Sequence, residues 1–326
     1  MSLALEVCCM IALIFSLHGT RSLIRILTNS KIVDTPNSRT NHTSPTPRGG
    51  GIAIILSTAL ASVIYMIWRN DVWEFNSFAT LLLAGSLILA YISWLDDKHN
   101  IPARWRLLAQ LAVITTCTFL WPMSLPFVSD FLPQGIDTIF IILCWIWFTN
   151  LYNFMDGIDG LTAIQTFCIC VPLFLLTGSP FPLIITMATA GFFYHNRSPA
   201  KIFMGDVGSI PLGFILGGLL LSTASLGKWE FALILPLYYL TDSSYTLFKR
   251  LVQKKNIWEA HSEHFYQQAV RRGLSHKQVV RYILIANLFI ISLAFGSAFF
   301  PAYGYIFIIL ACVCVGVLLN LMRRHG

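Results

Sequence analysis

The sequence predicts an all-α integral membrane protein, a polytopic helical bundle, and three observations predict it. The chain is 56% hydrophobic and only 11% charged, with a mean hydropathy of +0.68, so it has too few polar groups to cover a soluble globule of 326 residues. Apolar runs recur along its whole length, on the scale of the about 17–25 residues that cross roughly 30 Å of hydrocarbon. The basic residues fall almost entirely on alternate connecting loops. Backbone groups in lipid must pair within their own segment, so helices rather than open sheets are the expected form.

About eleven candidate spans follow in order. The first, 3–19, has no basic region and no small-residue cleavage site, so it reads as a retained helix rather than a removed signal. KIVDTPNSRTNHTSPTPRGGG, rich in Pro, Ser, Thr and Gly, is a loop by composition, and it leads into a second span at 51–68. Spans at 78–95, 107–127 and 135–148 come next, the third ending in WLDDKHNIPARWRLL. NLYNFMDGIDGL then separates the fifth from the sixth, 161–176, and the region around Pro180 divides that from the seventh, 181–194. HNRSPAKIFMGDVGSIPLG precedes the eighth, 210–226, and a ninth occupies 231–248. After the longest loop come the tenth and eleventh, 282–299 and 303–321. No period of 20 to 50 residues marks a soluble repeat, so residues 1–326 read as one membrane domain. The eight cysteines sit within or at the ends of apolar runs without CxxC spacing, as small buried hydrophobes do.

Charge orients the bundle. With the N-terminus periplasmic and the C-terminus cytoplasmic, every Lys and Arg except Arg69 and Lys228 lies on the inner loops or the C-terminal tail. The net charge of +7 then needs no nucleic acid, because basic loops facing anionic lipid account for it. The same orientation puts Asp34, Asp96, Asp97, Asp156, Asp159, Asp206, Glu259 and Glu263 inside, and leaves only Glu6 and Asp242 within spans. A transporter is expected to keep ionisable groups near the midplane. Here they gather at one surface, the inner loops near 28–50, 96–106, 149–160, 195–209 and 249–281.

Each inner segment has a chemical and a plain reading. Adjacent Asp96 and Asp97, followed by Lys98, Arg104 and Arg106, repel unless a cation or shared proton relieves them, and hard oxygen ligands suit Mg²⁺; a solvated helix end is the plain reading. Asn150, Asn153, Asp156 and Asp159 recur every three residues, sharing a helix face until Gly157 and Gly160 loosen the backbone. They suit a metal, a phosphate or a base edge, or form a polar cap and turn. Their spacing is not that of an EF-hand. Asn196, Arg197, Lys201 and Asp206 lie close together, with Gly205 and Gly208 flanking the Asp. Glycines admit close backbone approach to phosphate and a helix start favours an anion. Phe203 can stack on a base or simply pack. His261 and His264 lie three apart on an expected short amphipathic helix, with Arg271 and Arg272 beyond, where a basic helix at a lipid surface is the alternative. Arg39, His42 and Arg48 in the first inner loop suit anion contact or a flexible connector. Carboxylates, basic groups and glycines on one face make up the parts that phosphoryl transfer requires.

LDD at 95–97, NFMDGIDGL at 153–161, PAKIFMGDVGS at 199–209 and HSEHFYQ at 261–267 together resemble the signatures of the polyprenyl-phosphate N-acetylhexosamine-1-phosphate transferases, glycosyltransferase family 4, which also include the phospho-N-acetylmuramoyl-pentapeptide transferases. The resemblance implies transfer of an N-acetylaminosugar 1-phosphate from a UDP-sugar to undecaprenyl phosphate in a bacterial cytoplasmic membrane, releasing UMP, with Mg²⁺ (or Mn²⁺) as cofactor. Residue by residue it implies Asp206 as metal ligand with Asp96, and Asp96 and Asp97 as the pair near the metal and lipid phosphate. It implies Asn153, Asp156 and Asp159 near the nucleotide, Asn196 and Phe203 at a uridine pocket, and His261 and His264 near the diphosphate; Arg39, His42, Arg48 and Lys201 are expected as substrate contacts from their own charge. Three successive histidines mark the muramoyl-pentapeptide enzymes, whereas Ser262 and Glu263 stand between two here. The HSEHFYQ and SRTNH segments resemble the O-antigen and capsule-initiating subgroup, which implies a 6-deoxy sugar such as N-acetylfucosamine or N-acetylquinovosamine, with UDP-N-acetylglucosamine as the alternative. The implied partners are undecaprenyl phosphate, the UDP-sugar and membrane lipid, with a homodimer left open. A transporter of lipid-linked or phosphorylated solutes is the competing class.

Overall fold

Long apolar stretches can satisfy their backbone in lipid only by coiling on themselves, and the computed structural model is built almost wholly of helices. It describes residues 2–30, 33–34, 45–69, 77–99, 101–125, 134–256 and 261–324. In chain order these form α1 (Leu3–Asn29), β1 (Val33–Asp34), β2 (Thr46–Pro47), α2 (Gly51–Arg69), α3 (Ser77–His99), α4 (Ala103–Leu120) and α5 (Gln134–Phe154). There follow α6 (Leu161–Thr177), α7 (Pro180–Asn196), α8 (Asp206–Thr223), α9 (Trp229–Ile234) and α10 (Leu237–Val252). The last are α11 (Phe265–Arg271), α12 (His276–Phe299) and α13 (Gly304–Arg324). Among the described residues, seven helical stretches are long and apolar enough to cross a membrane, which makes this a multi-pass membrane protein.

The run expected as one helix over 231–248 is divided. α9 ends at Ile234 and α10 begins at Leu237, because Pro236 has no N–H to continue the ladder and its ring crowds the preceding turn. Just before it, α8 runs on through a π-helical turn, Ala224–Lys228, where Gly227 adopts φ 76°. The two-residue strands pair antiparallel, Val33 opposite Pro47.

α8 is the central post of the bundle. It packs against α2, α3 and α5, and 83% of the apolar window in Asp206–Ile234 is buried, against 28% in Pro301–Arg324 at the periphery. α7 is wedged between α1, α2 and α6, and α12 pairs with α13. Small residues allow this closeness. A Cβ on Gly51 would stand 2.1 Å from the Gly208 Cα, so α2 and α8 meet backbone to backbone. Deeper in, Trp145 of α5 stacks on Phe214 with centroids 5.1 Å apart and donates its indole N–H to the Phe214 carbonyl at 2.7 Å. Polar pairs tie further helices: Gln110 with Asn150 at 2.7 Å, and Gln165 with Asn287 at 2.8 Å.

Candidate active site

The Gly-rich end of the first long loop is strapped onto the segment that precedes α8. Gly49 and Gly50 donate their N–H groups to the Phe203 carbonyl at 3.1 and 2.9 Å, Gly51 donates to Met204 at 3.0 Å, and Phe203 donates back to Pro47 at 2.8 Å. Gly205 turns the chain at φ 73°, in the left-handed region that favours glycine. Asp206 thereby becomes the first residue of α8, where unpaired N–H groups and the helix dipole favour a negative charge.

Three elements bring their charges to this point. Arg48, on the strap, pairs with Asp206 Oδ1. Arg106 of α4 places Nη1 2.6 Å from Asp96 Oδ2 and 3.2 Å from Asp206 Oδ2. Asp97 at the exposed end of α3 lies within the fields of Arg48, Asp206, Asp96 and Arg106. Carboxylates from α3 and α8 thus converge on the Arg106 guanidinium. That donor set fits Mg²⁺, which takes one or two carboxylates and completes its octahedron with water and substrate phosphates. Among the described residues, no three His, Cys, Asp or Glu side chains gather into a protein-only metal cage.

The opening of NLYNFMDGIDGL is helical through Phe154, and residues 155–160 form the turn into α6. Asn153 Oδ1 accepts from the Ser209 hydroxyl at 3.2 Å, which ties α5 to the start of α8. Asp156 accepts from Thr162 Oγ1 at 2.7 Å. Burial pushes its pKa up to about 6, against the opposing pull of that hydroxyl and of Arg48. Asp159 differs. Burial raises it, but His276 Nδ1 at 3.1 Å, the Ala200 N–H at 3.2 Å and the Ser198 hydroxyl outweigh burial and hold it below the usual carboxylate range. Asn196 spans the same two loops, accepting from the Gly160 N–H at 3.0 Å and donating to the Ile202 carbonyl at 2.9 Å.

The histidine segment is not helical where the spacing suggested. His261 precedes α11 and His264 is its N-cap, because the Asp242 carboxylate of α10 gathers the N–H groups of Phe265 and Tyr266, at 3.0 and 3.4 Å, and so starts the helix after His264. The two imidazoles lie 5.0 Å apart. Burial, with the neighbouring His264 ring and Arg250 adding to it, pushes His261 down to about 4, so it is neutral near pH 7. Glu263 turns away to Arg250 and to Lys255, the latter at 3.1 Å.

Lys201 lies apart from the Asp96–Asp206 cluster. It lines a separate cavity of about 540 Å³ with Arg197, Lys277, His195 and Asp159. Phe203 is half-buried in the segment before α8, bridged to Arg48 of the strap. Arg39 and His42 lie outside the described residues. Three residues enter that the motifs did not place: Arg106 between the carboxylates, His276 on Asp159, and Asp242 beneath the histidines. For Arg106 the available signal is Pro102, which caps α4 and turns it back on α3. For His276 it is Ser275, whose capping box with Gln278 starts α12 one residue earlier.

The family description "Glycosyl transferase family 4" matches residues 79–224. The chain is similar to a probable undecaprenyl-phosphate N-acetylglucosaminyl 1-phosphate transferase of Bacillus subtilis, 30% identical over 292 residues that cover 82% of this chain and 78% of the relative. It is similar to a decaprenyl-phosphate N-acetylglucosaminephosphotransferase of Mycolicibacterium smegmatis, 28% identical over 81% of this chain and 74% of the relative. A phospho-N-acetylmuramoyl-pentapeptide-transferase of Streptococcus pyogenes is 30% identical over 62% of this chain and 66% of its own.

Proposed function

Because the chain belongs to glycosyl transferase family 4, the polyprenyl-phosphate N-acetylhexosamine-1-phosphate transferases, we propose that it moves an N-acetylaminosugar 1-phosphate from a UDP-sugar to undecaprenyl phosphate. The products are UMP and a lipid-diphosphate sugar that initiates O-antigen or another cell-surface polysaccharide at the cytoplasmic face of a bacterial inner membrane. The observation that carries this reading is the meeting of Asp96, Asp206, Arg48 and Arg106 at one end of the bundle, beside the Asp156–Gly160 turn.

In this reading Asp206 and Asp96 would hold Mg²⁺, which would supply positive charge against the diphosphate. An oxygen of the lipid phosphate attacks the sugar-linked β-phosphorus in line. The bond from that phosphorus to the bridging oxygen breaks, and the electron pair leaves on the α-phosphate of UMP. A phosphate is already anionic near neutral pH, so positioning contributes more than proton abstraction. Arg48 and Arg106 stand where they can meet phosphate oxygens. The Asp156–Asp159 turn with Asn153 and Phe203 forms the nucleotide side. His261, neutral near pH 7, and His264 act as hydrogen-bonding groups on the diphosphate.

The sugar we favour is a 6-deoxy N-acetylhexosamine, on the strength of HSEHFYQ. The names of the Bacillus and Mycolicibacterium relatives favour UDP-N-acetylglucosamine as the second reading. Purified protein given undecaprenyl phosphate, Mg²⁺ and a panel of UDP-sugars should release UMP with one sugar preferred; release with none would return the transporter reading. Asp206→Ala should lower turnover by about 100-fold or more while the protein stays folded. Substantial Mg²⁺-dependent activity in that variant would remove Asp206 from the metal.

A further inference from the structure

Asp242 is fully buried, and an ionisable side chain inside an apolar segment is costly unless partners take up its charge. Its two oxygens receive five donors. Tyr238 Oη at 3.2 Å and Thr246 Oγ1 at 3.3 Å come from its own helix. The other three come from the histidine segment: His264 Nδ1 at 3.3 Å, the Phe265 N–H at 3.0 Å and the Tyr266 N–H at 3.4 Å. A carboxylate only accepts, so Nδ1 of His264 must carry the proton, which leaves Nε2 as the edge that can meet another group. The contact continues beyond the histidine. The Tyr266 ring stacks on His264 with centroids 5.8 Å apart, and its hydroxyl donates to the Phe154 carbonyl at 3.1 Å. Gly157 lies so close that a Cβ there would stand 2.2 Å from the Tyr266 Oη.

We propose that Asp242 is a positioning residue for the transfer reaction: it fixes the tautomer and ring plane of His264 and, through Tyr266, locks the histidine segment against the Asp156–Gly160 turn. A cap for α11 alone would need only the two backbone donors. The buried imidazole on the same oxygen as the Phe265 N–H is the arrangement by which a carboxylate orients a working histidine. This inference rests on placing His261 and His264 in the active site.

The test combines turnover with a readout that does not depend on it. Asp242→Asn should remain monodisperse but with a lowered thermal midpoint, because an amide cannot accept all five donors, so turnover is compared per folded protein. Its kcat should fall about 10- to 100-fold, with the KM for undecaprenyl phosphate unchanged. The double variant Asp242→Asn/His264→Ala should be no slower than His264→Ala alone, since one residue acts through the other. In wild-type protein labelled with ¹⁵N-histidine, the His264 ring should carry its proton on Nδ1, and Asp242→Asn should shift that population. Multiplicative losses in the double variant, or an Nε2-protonated wild-type ring, would overturn the proposal. So would full activity of His264→Ala in a protein that releases UMP, with the transferase reading intact. If wild-type protein releases no UMP with any sugar, the transferase reading fails, and the proposal fails with it; the ring measurement then decides only whether Asp242 holds His264. Should Asp242→Asn fail to fold, Tyr266→Phe removes the hydroxyl that ties the segment to Phe154 and meets the Gln267 side chain: it should lower kcat in wild type and not in His264→Ala, and loss in both overturns the lock.

Discussion

At Asp156, burial and hydrogen bonding oppose one another, and the balance at about 6 has a consequence for pH. If the ionised carboxylate is the working form, kcat/KM should fall as pH drops through about 6. The Thr162 hydroxyl favours the anion, so Thr162→Ala should raise the Asp156 pKa and move the acid limb to higher pH; a limb that stays put or moves down would assign it to another group. Arg106 allows a second test. It neutralises Asp96 and Asp206 together, so Arg106→Gln should leave a more negative pair and tighten Mg²⁺ binding, read by metal-dependent thermal stabilisation, while turnover falls. Weaker metal binding would mean that the arginine holds the carboxylates together rather than competing for them. The motifs named Asp96 for its adjacency to Asp97, and Asp156, Asp159 and Asp206 because carboxylates beside glycines are conspicuous in an apolar chain. They could not name Arg106 as the bridge or His276 as the Asp159 partner, since those contacts join residues 100 and 117 positions apart.

Helix positions follow from apolar length, but helix breaks follow from local chemistry that apolar length hides. The run over 231–240 is apolar on both sides of Pro236, and only that proline marks where α9 yields to α10. The three-residue histidine spacing fits a helix, yet α11 begins after it because its first N–H groups are claimed by Asp242, on a neighbouring element. The contact of α2 with α8 is the element on which the site depends, since Arg48 precedes α2 and Asp206 opens α8. Gly51→Ala places a Cβ on the Gly208 backbone, which can relieve it only by moving one helix. Overpacking of this kind costs about 1–3 kcal/mol, so the thermal midpoint should fall. Arg48 should separate from Asp206, and turnover should drop by more than the loss of folded protein explains. Wild-type turnover in Gly51→Ala would mean that the strap is held by its hydrogen bonds to Phe203 alone.

Lipid tails and the interior of a helical bundle are equally apolar, so hydrophobicity locates spans without saying which one is central. For that reason the peripheral α13 reads as the more hydrophobic of the two, and only the fold shows that α8 is the buried post. Charge carries what hydrophobicity cannot. The turn at 155–160, the 197–205 loop and the histidine segment meet at one end of the bundle, while α6 and α7 reverse at Gly178 and Ser179 at the other. The basic residues follow the first end, and in a bilayer that end should face the cytoplasm. Single-cysteine reporters on a background without the eight native cysteines can test this in cells. Ser179→Cys should react with a membrane-impermeant maleimide in intact spheroplasts, and Gln253→Cys, exposed just after α10, should react only after permeabilisation. The reverse pattern would invert the protein and put the transferase site on the outer face, where UDP-sugars made in the cytoplasm do not reach it. Equal labelling of both in intact spheroplasts would contradict the passage of an odd number of spans between them.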